Sequence, residues 1–227
     1  MFGATCSPFH LAAVINHLLD EYTRKDIQPF TFTNTISILK KSFYVDNCVT
    51  SSPNEQEVDK FVSEAQAIFS KSKFDLRGWE VSNPSLATVS NSSVLELSWE
   101  KKFDTLSVNP SNWKLSACTI TKRTILSFAQ RVFDPIGFTC PTTLYPKLLL
   151  QKLWTSKIPW DLEVDDDTKK TFMDWIDELP ALGTIRIPRW FVRSSQAVRE
   201  WSIHTFCDAS KDAYGAVVFV RTETDSE

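Results

Sequence analysis

Residues 42–50, Ser-Phe-Tyr-Val-Asp-Asn-Cys-Val-Thr, constrain the fold of this chain more than any other stretch. Phe43, Tyr44 and Val45 precede a two-residue Asp46-Asn47 step, and Cys48, Val49 and Thr50 follow it. Aromatic and β-branched side chains favour the pleated strand, and Asp and Asn tolerate the positive φ that a tight hairpin turn demands. The stretch therefore predicts a β-hairpin with Asp46 and Asn47 at its tip. A carboxylate on a rigid tip suits a hard divalent cation such as Mg²⁺, which takes oxygen ligands and keeps water or phosphate in the rest of its shell. Asp-Asn steps are also common as plain surface turns, so the rest of the sequence has to decide between the two.

At 227 residues, 42% hydrophobic and 23% charged, the chain has the composition of a soluble globular protein of one or two domains. A net charge of −3 argues against a uniformly basic nucleic-acid binder. The five cysteines (Cys6, Cys48, Cys118, Cys140, Cys207) are scattered, without a Cys-x-x-Cys pair, and only His10, His17 and His204 accompany them. That spacing fits no zinc site and is expected of reduced, buried thiols in an intracellular, cytoplasmic protein. Neither a secretory leader nor an apolar run of membrane-spanning length is present, so no membrane association is expected.

Periodicity supplies the other elements. Ser7 and Pro8 open a helix whose face carries Leu11, Ile15, Leu18, Leu19 and Tyr22. Phe30, Phe32, Ile36 and Ile38 alternate as in a strand or loop feeding the hairpin. Ser52-Pro53-Asn54-Glu55 is read as a capping box before an amphipathic helix through Phe69. Phe74–Trp79 is expected as a short strand or turn, and the polar tract from Ser82 to Ser93 as a loop. Val94–Trp99 alternates as a strand and should pair with Phe103–Val108 across Glu100-Lys101-Lys102. Helices are expected from Thr121 until Asp134-Pro135-Ile136-Gly137 stops the chain, from Leu144 to Trp154, and from Thr168 to Leu179. The acids Asp165, Asp166 and Asp167 suit the positive end of that last helix better than a metal. Ile203–Ser210 and Ala213–Val220 read as two strands joined by a Lys-Asp turn.

Charge is segregated along the second half. Residues 105–160 hold seven cations (Lys114, Lys122, Arg123, Arg131, Lys147, Lys152, Lys157) against Asp134 alone. Residues 161–180 hold eight acids and two lysines, and residues 181–199 four arginines and no acid. The basic stretches are candidates to track a phosphate backbone, with a solvated surface as the default alternative.

These segments, in this order, resemble the pol polyprotein of Pao/BEL-type LTR retrotransposons over nearly the whole chain. Phe2–Phe9 resembles the reverse-transcriptase segment in which a Gly turn and Ser-Pro open a palm helix. Phe43-Tyr44-Val45-Asp46-Asn47 is similar to the Tyr-x-Asp-Asp box, with Asn47 in place of the second Asp. Phe74–Trp79 resembles the Phe-x-Leu-Arg-x-Trp step, and Val94–Trp99 the Val-Leu-Gly-Leu-x-Trp strand, with Glu96 where the family has Gly. Thr121 through Gly137 is similar to the family's most recognisable block, and Phe206–Ser210 with Ala213–Ala216 to the opening of its RNase H domain.

The resemblance implies an α+β chain with a partial reverse-transcriptase palm (1–110), a helical thumb and connection (111–200), and the first strands of an RNase H-like domain (201–227). It implies RNA-directed DNA synthesis and RNase H cleavage in the parent protein by two-metal phosphoryl transfer. Asp46 and Asp208 would be catalytic carboxylates and, with Asn47, ligands of Mg²⁺. Lys114, Lys122, Arg123, Arg131, Lys147 and Lys152 would hold an RNA/DNA template-primer, with the rest of the pol polyprotein as partner and a virus-like particle as setting. The chain is expected to begin inside the palm and end inside the RNase H domain, leaving both metal sites incomplete and the chain inactive alone. A non-catalytic nucleic-acid-binding remnant is the alternative. This region of such polyproteins is also labelled a peptidase, but no Asp-Thr-Gly or Asp-Ser-Gly supplies an aspartic-protease dyad.

Overall fold

The computed structural model describes residues 5–23, 32–82, 90–109, 113, 115, 119–190 and 198–224. The chain divides into two compact units, residues 1–81 and 82–227. Both mix helix and antiparallel sheet, so the chain is α+β.

The first unit is built from α1 (Ser7–Thr23), α2 (Thr33–Ser42), a hairpin of β1 (Phe43–Tyr44) and β2 (Asn47–Cys48), and α3 (Glu55–Ser70). Ile15, Leu18 and Leu19 of α1 meet Ile36 and Leu39 of α2 and Phe61, Ala65, Ile68 and Phe69 of α3 in one core. The strand or loop expected before the hairpin is helix α2 instead. Its buried residues, Thr35, Ile36 and Leu39, recur at helical spacing, and the Ile36/Ile38 alternation misled because Ile38 is only half-buried. Helix α3 starts later than its expected box. Asn54, not Ser52, is the cap: its Oδ1 accepts the Glu57 N–H at 2.9 Å and its Nδ2 donates back to Glu57 Oε1 at 3.4 Å. Phe74, Leu76 and Trp79 pack half-buried on the same core from an irregular segment, not a strand, with Trp79 edge-on to Phe61.

The second unit carries a four-stranded antiparallel sheet, in the order β3 (Asn91–Val94), β4 (Leu97–Glu100), β5 (Thr105–Ser107) and β6 (Ile187–Pro188). Three helices, α4 (Lys122–Ala129), α5 (Cys140–Thr155) and α6 (Asp166–Glu178), and a 3-10 turn (Leu179–Thr184) accompany it. Leu97, Trp99 and Leu106 from the sheet join Ile125, Phe128, Leu150, Leu153, Phe172 and Trp175 from the helices in a single core. A long hairpin of β7 (Val198–Ala209) and β8 (Tyr214–Thr224) completes the unit.

Three details differ from the sequence reading. Val94–Trp99 is not one strand but the turn of the β3–β4 hairpin, in which Val94 pairs with Leu97 across Leu95 and Glu96. Both turn residues adopt left-handed φ (51° and 62°), as a type I′ turn requires. Part of the expected Ser82–Ser93 loop is strand β3, while 83–89 lie outside the described residues. Helix α5 begins four residues before the expected start despite Pro141 and Pro146. Pro146 has no N–H for the Thr142 carbonyl one turn earlier, and the indole Nε1 of Trp175 on α6 donates to that carbonyl at 3.0 Å. The helix thus runs through a proline because a neighbour satisfies the freed acceptor.

The β3–β4 turn gives a direct prediction. A non-glycine residue in the left-handed region costs about 1–2 kcal/mol relative to glycine, which has no Cβ to clash. Glu96 is exposed and makes no compensating turn contact among the described residues. Glu96→Gly is therefore expected to stabilise the second unit by about 0.5–1 kcal/mol, allowing for glycine's larger unfolded-state entropy. A higher urea midpoint with an unchanged m-value checks it.

Candidate functional site

The expected metal-ligand tip lies in the first unit. Phe43 pairs with Cys48 and Tyr44 with Asn47, so the two-residue loop is Val45-Asp46 and Asn47 belongs to β2, one residue off the expected register. Phe43 packs on Phe69 with ring centroids 5.5 Å apart, and Cys48 faces the same core. These two contacts pin the hairpin, while Tyr44, Val45 and Asp46 face solvent. Burial pushes the Cys48 thiol up to about 11, which leaves it protonated and inert as a nucleophile at neutral pH.

Val45 has φ 56°, an uncommon conformation for a β-branched residue. Positive φ at the first loop residue alone is the pattern of a type II′ turn. The turn holds Asp46 at the apex, where its Oδ1 accepts the Asn47 Nδ2–H at 3.0 Å. A second Asp at position 47 would put two negative charges side by side. Asn47 instead donates a hydrogen bond to the neighbouring carboxylate.

Asp208 lies in the second unit, near the turn end of β7, opposite Gly215. It is exposed, and its Oδ1 accepts the Ala209 N–H at 2.9 Å. Ser210 builds the turn: its N–H donates to the Ala213 carbonyl at 2.8 Å, and its Oγ accepts the Asp212 and Ala213 N–H groups.

The β1–β2 tip carries the Asp46 carboxylate, and the β7–β8 turn carries Asp208 with Asp212 further along the same turn. Among the described residues no group of three or more His, Cys, Asp or Glu side chains converges on a common point. A Mg²⁺ ion demands six oxygens in near-octahedral array, and a two-metal centre needs several bridging carboxylates. The described residues therefore do not by themselves fit the ion that the resemblance implies.

The six candidate nucleic-acid cations have diverse surroundings. Lys114 lies outside the described residues. Lys122 is 4% exposed, with its ammonium 4.7 Å from the Trp154 ring centroid and 5.0 Å from that of Trp160. Its charge faces two indoles rather than solvent, a cation–π arrangement that holds α4 to the end of α5. Arg123 makes a two-pronged contact with Asp161, at 2.7 and 3.1 Å. That hydrogen-bonded partner holds the Asp161 carboxyl below its usual range and raises the Arg123 guanidinium. Lys152 stands 3.9 Å from Asp167. Arg131 stacks on the Phe128 ring at 3.9 Å, and Lys147 is exposed on α5.

The sequence's segregated charge is thus partly cancelled in three dimensions. Val164 donates its N–H to the Ile120 carbonyl at 3.0 Å, and Arg123 donates its N–H to the Trp160 carbonyl at 3.2 Å. These bonds lay the start of the acidic stretch along the start of α4, where acid meets base. Asp165 is the α6 cap, accepting the Thr168 N–H and hydroxyl at 2.8 Å, which lowers its carboxyl pKa. That agrees with reading the three acids as a helix start.

The thiols depart from expectation. Cys6, Cys140 and Cys207 are exposed and Cys48 is half-buried, all of them free, while Cys118 lies outside the described residues. His10 and His17 are both exposed on α1, with His17 3.5 Å from Glu21. Among the described residues, no helix is long and apolar enough to cross a membrane.

Residues 121–227 match the family model described as Pao retrotransposon-like RNaseH-like domain. The match takes in the Asp134-Pro135-Ile136-Gly137 block, all three helices of the second unit and the β7–β8 hairpin. No curated protein and no solved structure matches the chain. Residues 121–227 are therefore a Pao/BEL-type retrotransposon pol region.

Proposed function

We propose that this Pao/BEL-type pol region serves RNA-directed DNA synthesis and the removal of RNA from the resulting hybrid, and that the present chain is catalytically silent alone. The observation that carries the reading is the family match over residues 121–227, which ends on the hairpin that bears Asp208. The second support is Asp46 at a strained, core-anchored tip, since strain of this kind concentrates at functional positions.

In this reading residues 1–110 correspond to part of a palm, 111–200 to thumb and connection, and 201–227 to the opening of an RNase H-like domain. Asp46 and Asp208 each contribute one carboxylate, and further pol polypeptide supplies the rest of each Mg²⁺ shell. This chain's own residues fix where each carboxylate stands: Phe43 and Cys48 anchor the Asp46 turn, and Ser210 anchors the turn beside Asp208. The proteolytic label of this region receives no support from any residue described above.

Incubating the full chain with Mg²⁺ and either a primed RNA template or an RNA–DNA hybrid tests the proposal. Neither primer extension nor hybrid cleavage above a no-protein control is expected. Extension abolished by Asp46→Asn, or cleavage abolished by Asp208→Asn, would show a complete centre and sink the claim of silence.

The alternative, a purely nucleic-acid-binding remnant, has narrower support. Of the six candidate cations, Lys122 is buried and Arg123 and Lys152 lie against acids. Arg131 lies on the Phe128 ring and Arg189 makes a two-pronged contact with Asp104 at 2.7 and 3.1 Å, so that reading draws mainly on Lys147, exposed on α5.

A further inference from the structure

The β4–β5 turn, residues 101–104, is fixed from both of its ends. The Glu100 carboxylate, 8% exposed, accepts the Lys102 N–H at 2.9 Å and the Phe103 N–H at 3.0 Å. Asp104, at left-handed φ (52°), is gripped by Arg189, whose guanidinium meets its carboxylate at 2.7 and 3.1 Å. The Trp99 indole N–H donates to the same carboxylate at 2.9 Å, and the Arg189 N–H to the Asp104 carbonyl at 2.9 Å. Paired strand continues on each side, with Glu100 opposite Thr105 and Thr105 opposite Pro188. A left-handed residue other than glycine persists where its surroundings over-determine it, and such places concentrate at binding sites.

The turn held in this way presents an aromatic ring to solvent. Phe103 is 68% exposed, and the Lys102 ammonium lies 5.8 Å from its ring centroid. Continuing the β5–β6 register past the Asp104–Arg189 bond leads to Trp190, a second exposed ring at 52%. Both acids of the turn direct their carboxylates inward, Glu100 to the turn amides and Asp104 to Arg189 and Trp99. The tip therefore offers a phenyl ring beside a lysine, with the neighbouring negative charges already engaged. A flat apolar ring beside a cation complements a nucleobase and its phosphate.

We propose, on the nucleic-acid reading above, that this tip is a stacking contact for an unpaired nucleotide of a bound RNA or DNA strand. The base lies on Phe103 and the adjoining phosphate meets Lys102. An unpaired base leaves a face open to an aromatic ring, whereas a base inside a duplex is covered on both faces by its neighbours. Every base has such a face, so the contact tolerates any sequence and either sugar. The turn belongs to neither of the hairpins that carry Asp46 and Asp208, so changes to it leave those carboxylates in place.

Fluorescence anisotropy of the full chain with a labelled single strand of about 12 nucleotides, at about 50 mM salt, tests this. Phe103→Ser should raise the dissociation constant about tenfold, the scale of one lost stacking contact, and Phe103→Trp should hold or lower it. Lys102→Gln should weaken binding less and reduce the salt slope by about 0.7, one phosphate's share on a single strand. With a blunt duplex of the same length, Phe103→Ser should change the constant by less than about twofold. Phe103 is exposed, so its variants should keep the urea midpoint of the unaltered chain. Strand binding indifferent to Phe103→Ser would overturn the proposal and leave the tip to a polypeptide partner, with the nucleic-acid reading still standing. An equal loss on the duplex would overturn it too, since no unpaired base would then be needed. No strand binding by the unaltered chain would overturn the proposal and, with it, the reading that this chain contacts template or primer.

Discussion

Replacing Asp134 with alanine is expected to lower the unfolding free energy of the second unit by about 3 kcal/mol, because one carboxylate there organises a whole turn. Asp134 Oδ1 accepts the N–H groups of Ile136 at 3.1 Å and Gly137 at 2.7 Å, and Oδ2 accepts the N–H and hydroxyl of Thr139 at 2.5 and 2.7 Å. Thr139 is almost wholly buried and Gly137 adopts φ 92°, so neither can turn to water or relax without moving the start of α5. Each charge-assisted bond is worth about 1.5–3 kcal/mol singly, but the four share one carboxylate and lose strength non-additively. Asp134→Asn keeps an acceptor oxygen and should cost about half as much. Urea unfolding followed by tryptophan fluorescence measures both. A loss under 1 kcal/mol for Asp134→Ala would mean that the turn is held by its flanking helices instead.

Phe172→Ala should cost more, about 4 kcal/mol, by removing a large side chain from a close-packed site. Phe172 is fully buried on α6, edge-on to Phe128 of α4 at 6.1 Å and stacked on Trp175 at 5.8 Å. Its loss takes away the transfer energy of the ring, leaves a cavity and removes two aromatic contacts at once. Trp175 would then shift, which threatens its hydrogen bond to Thr142 and hence the continuity of α5 through Pro146. Phe172→Leu keeps most of the volume and should cost no more than about 1.5 kcal/mol. Equal losses for alanine and leucine would argue that ring geometry, not volume, holds the three helices together.

The helices were legible in the sequence wherever an apolar stripe recurred at three and four residues. Ile125, Phe128, Phe172 and Trp175 are buried as their spacing demands. Misreadings came where local signals were ambiguous. Ile36 and Ile38 mimic a strand over too short a run to reveal that Leu39 completes a helical face. Val94–Trp99 has the alternation of one strand, and nothing in Leu95-Glu96 advertises a type I′ turn, which glycine or asparagine would have signalled. Position 96 demands left-handed φ, so Glu96 is first of all a strained turn residue.

Both hairpins bearing the candidate carboxylates were visible from their aromatic and β-branched runs. The one-residue shift at Val45-Asp46 was not, because a valine at positive φ contradicts local preference and is held there by Phe43 and Cys48. The fate of the charges was equally hidden. Net charge per segment gives no sign that Lys122 turns inward beneath two tryptophans or that Arg123 meets Asp161, since both depend on how residues 160–164 run back along α4.

Under the proposed function Asp46 and Asp208 each act as a single Mg²⁺ ligand within this chain. Titrating the full chain with Mn²⁺, a paramagnetic substitute for Mg²⁺, and following the broadening of the Asp46 and Asp208 amide signals tests it most directly. One exposed carboxylate binds a hard divalent ion only weakly, so gradual, non-saturating broadening at both residues is expected, with no affinity tighter than about 1 mM. Saturable binding at about 10 µM, lost in Asp46→Asn or Asp208→Asn, would show an assembled metal centre within this chain and contradict the account.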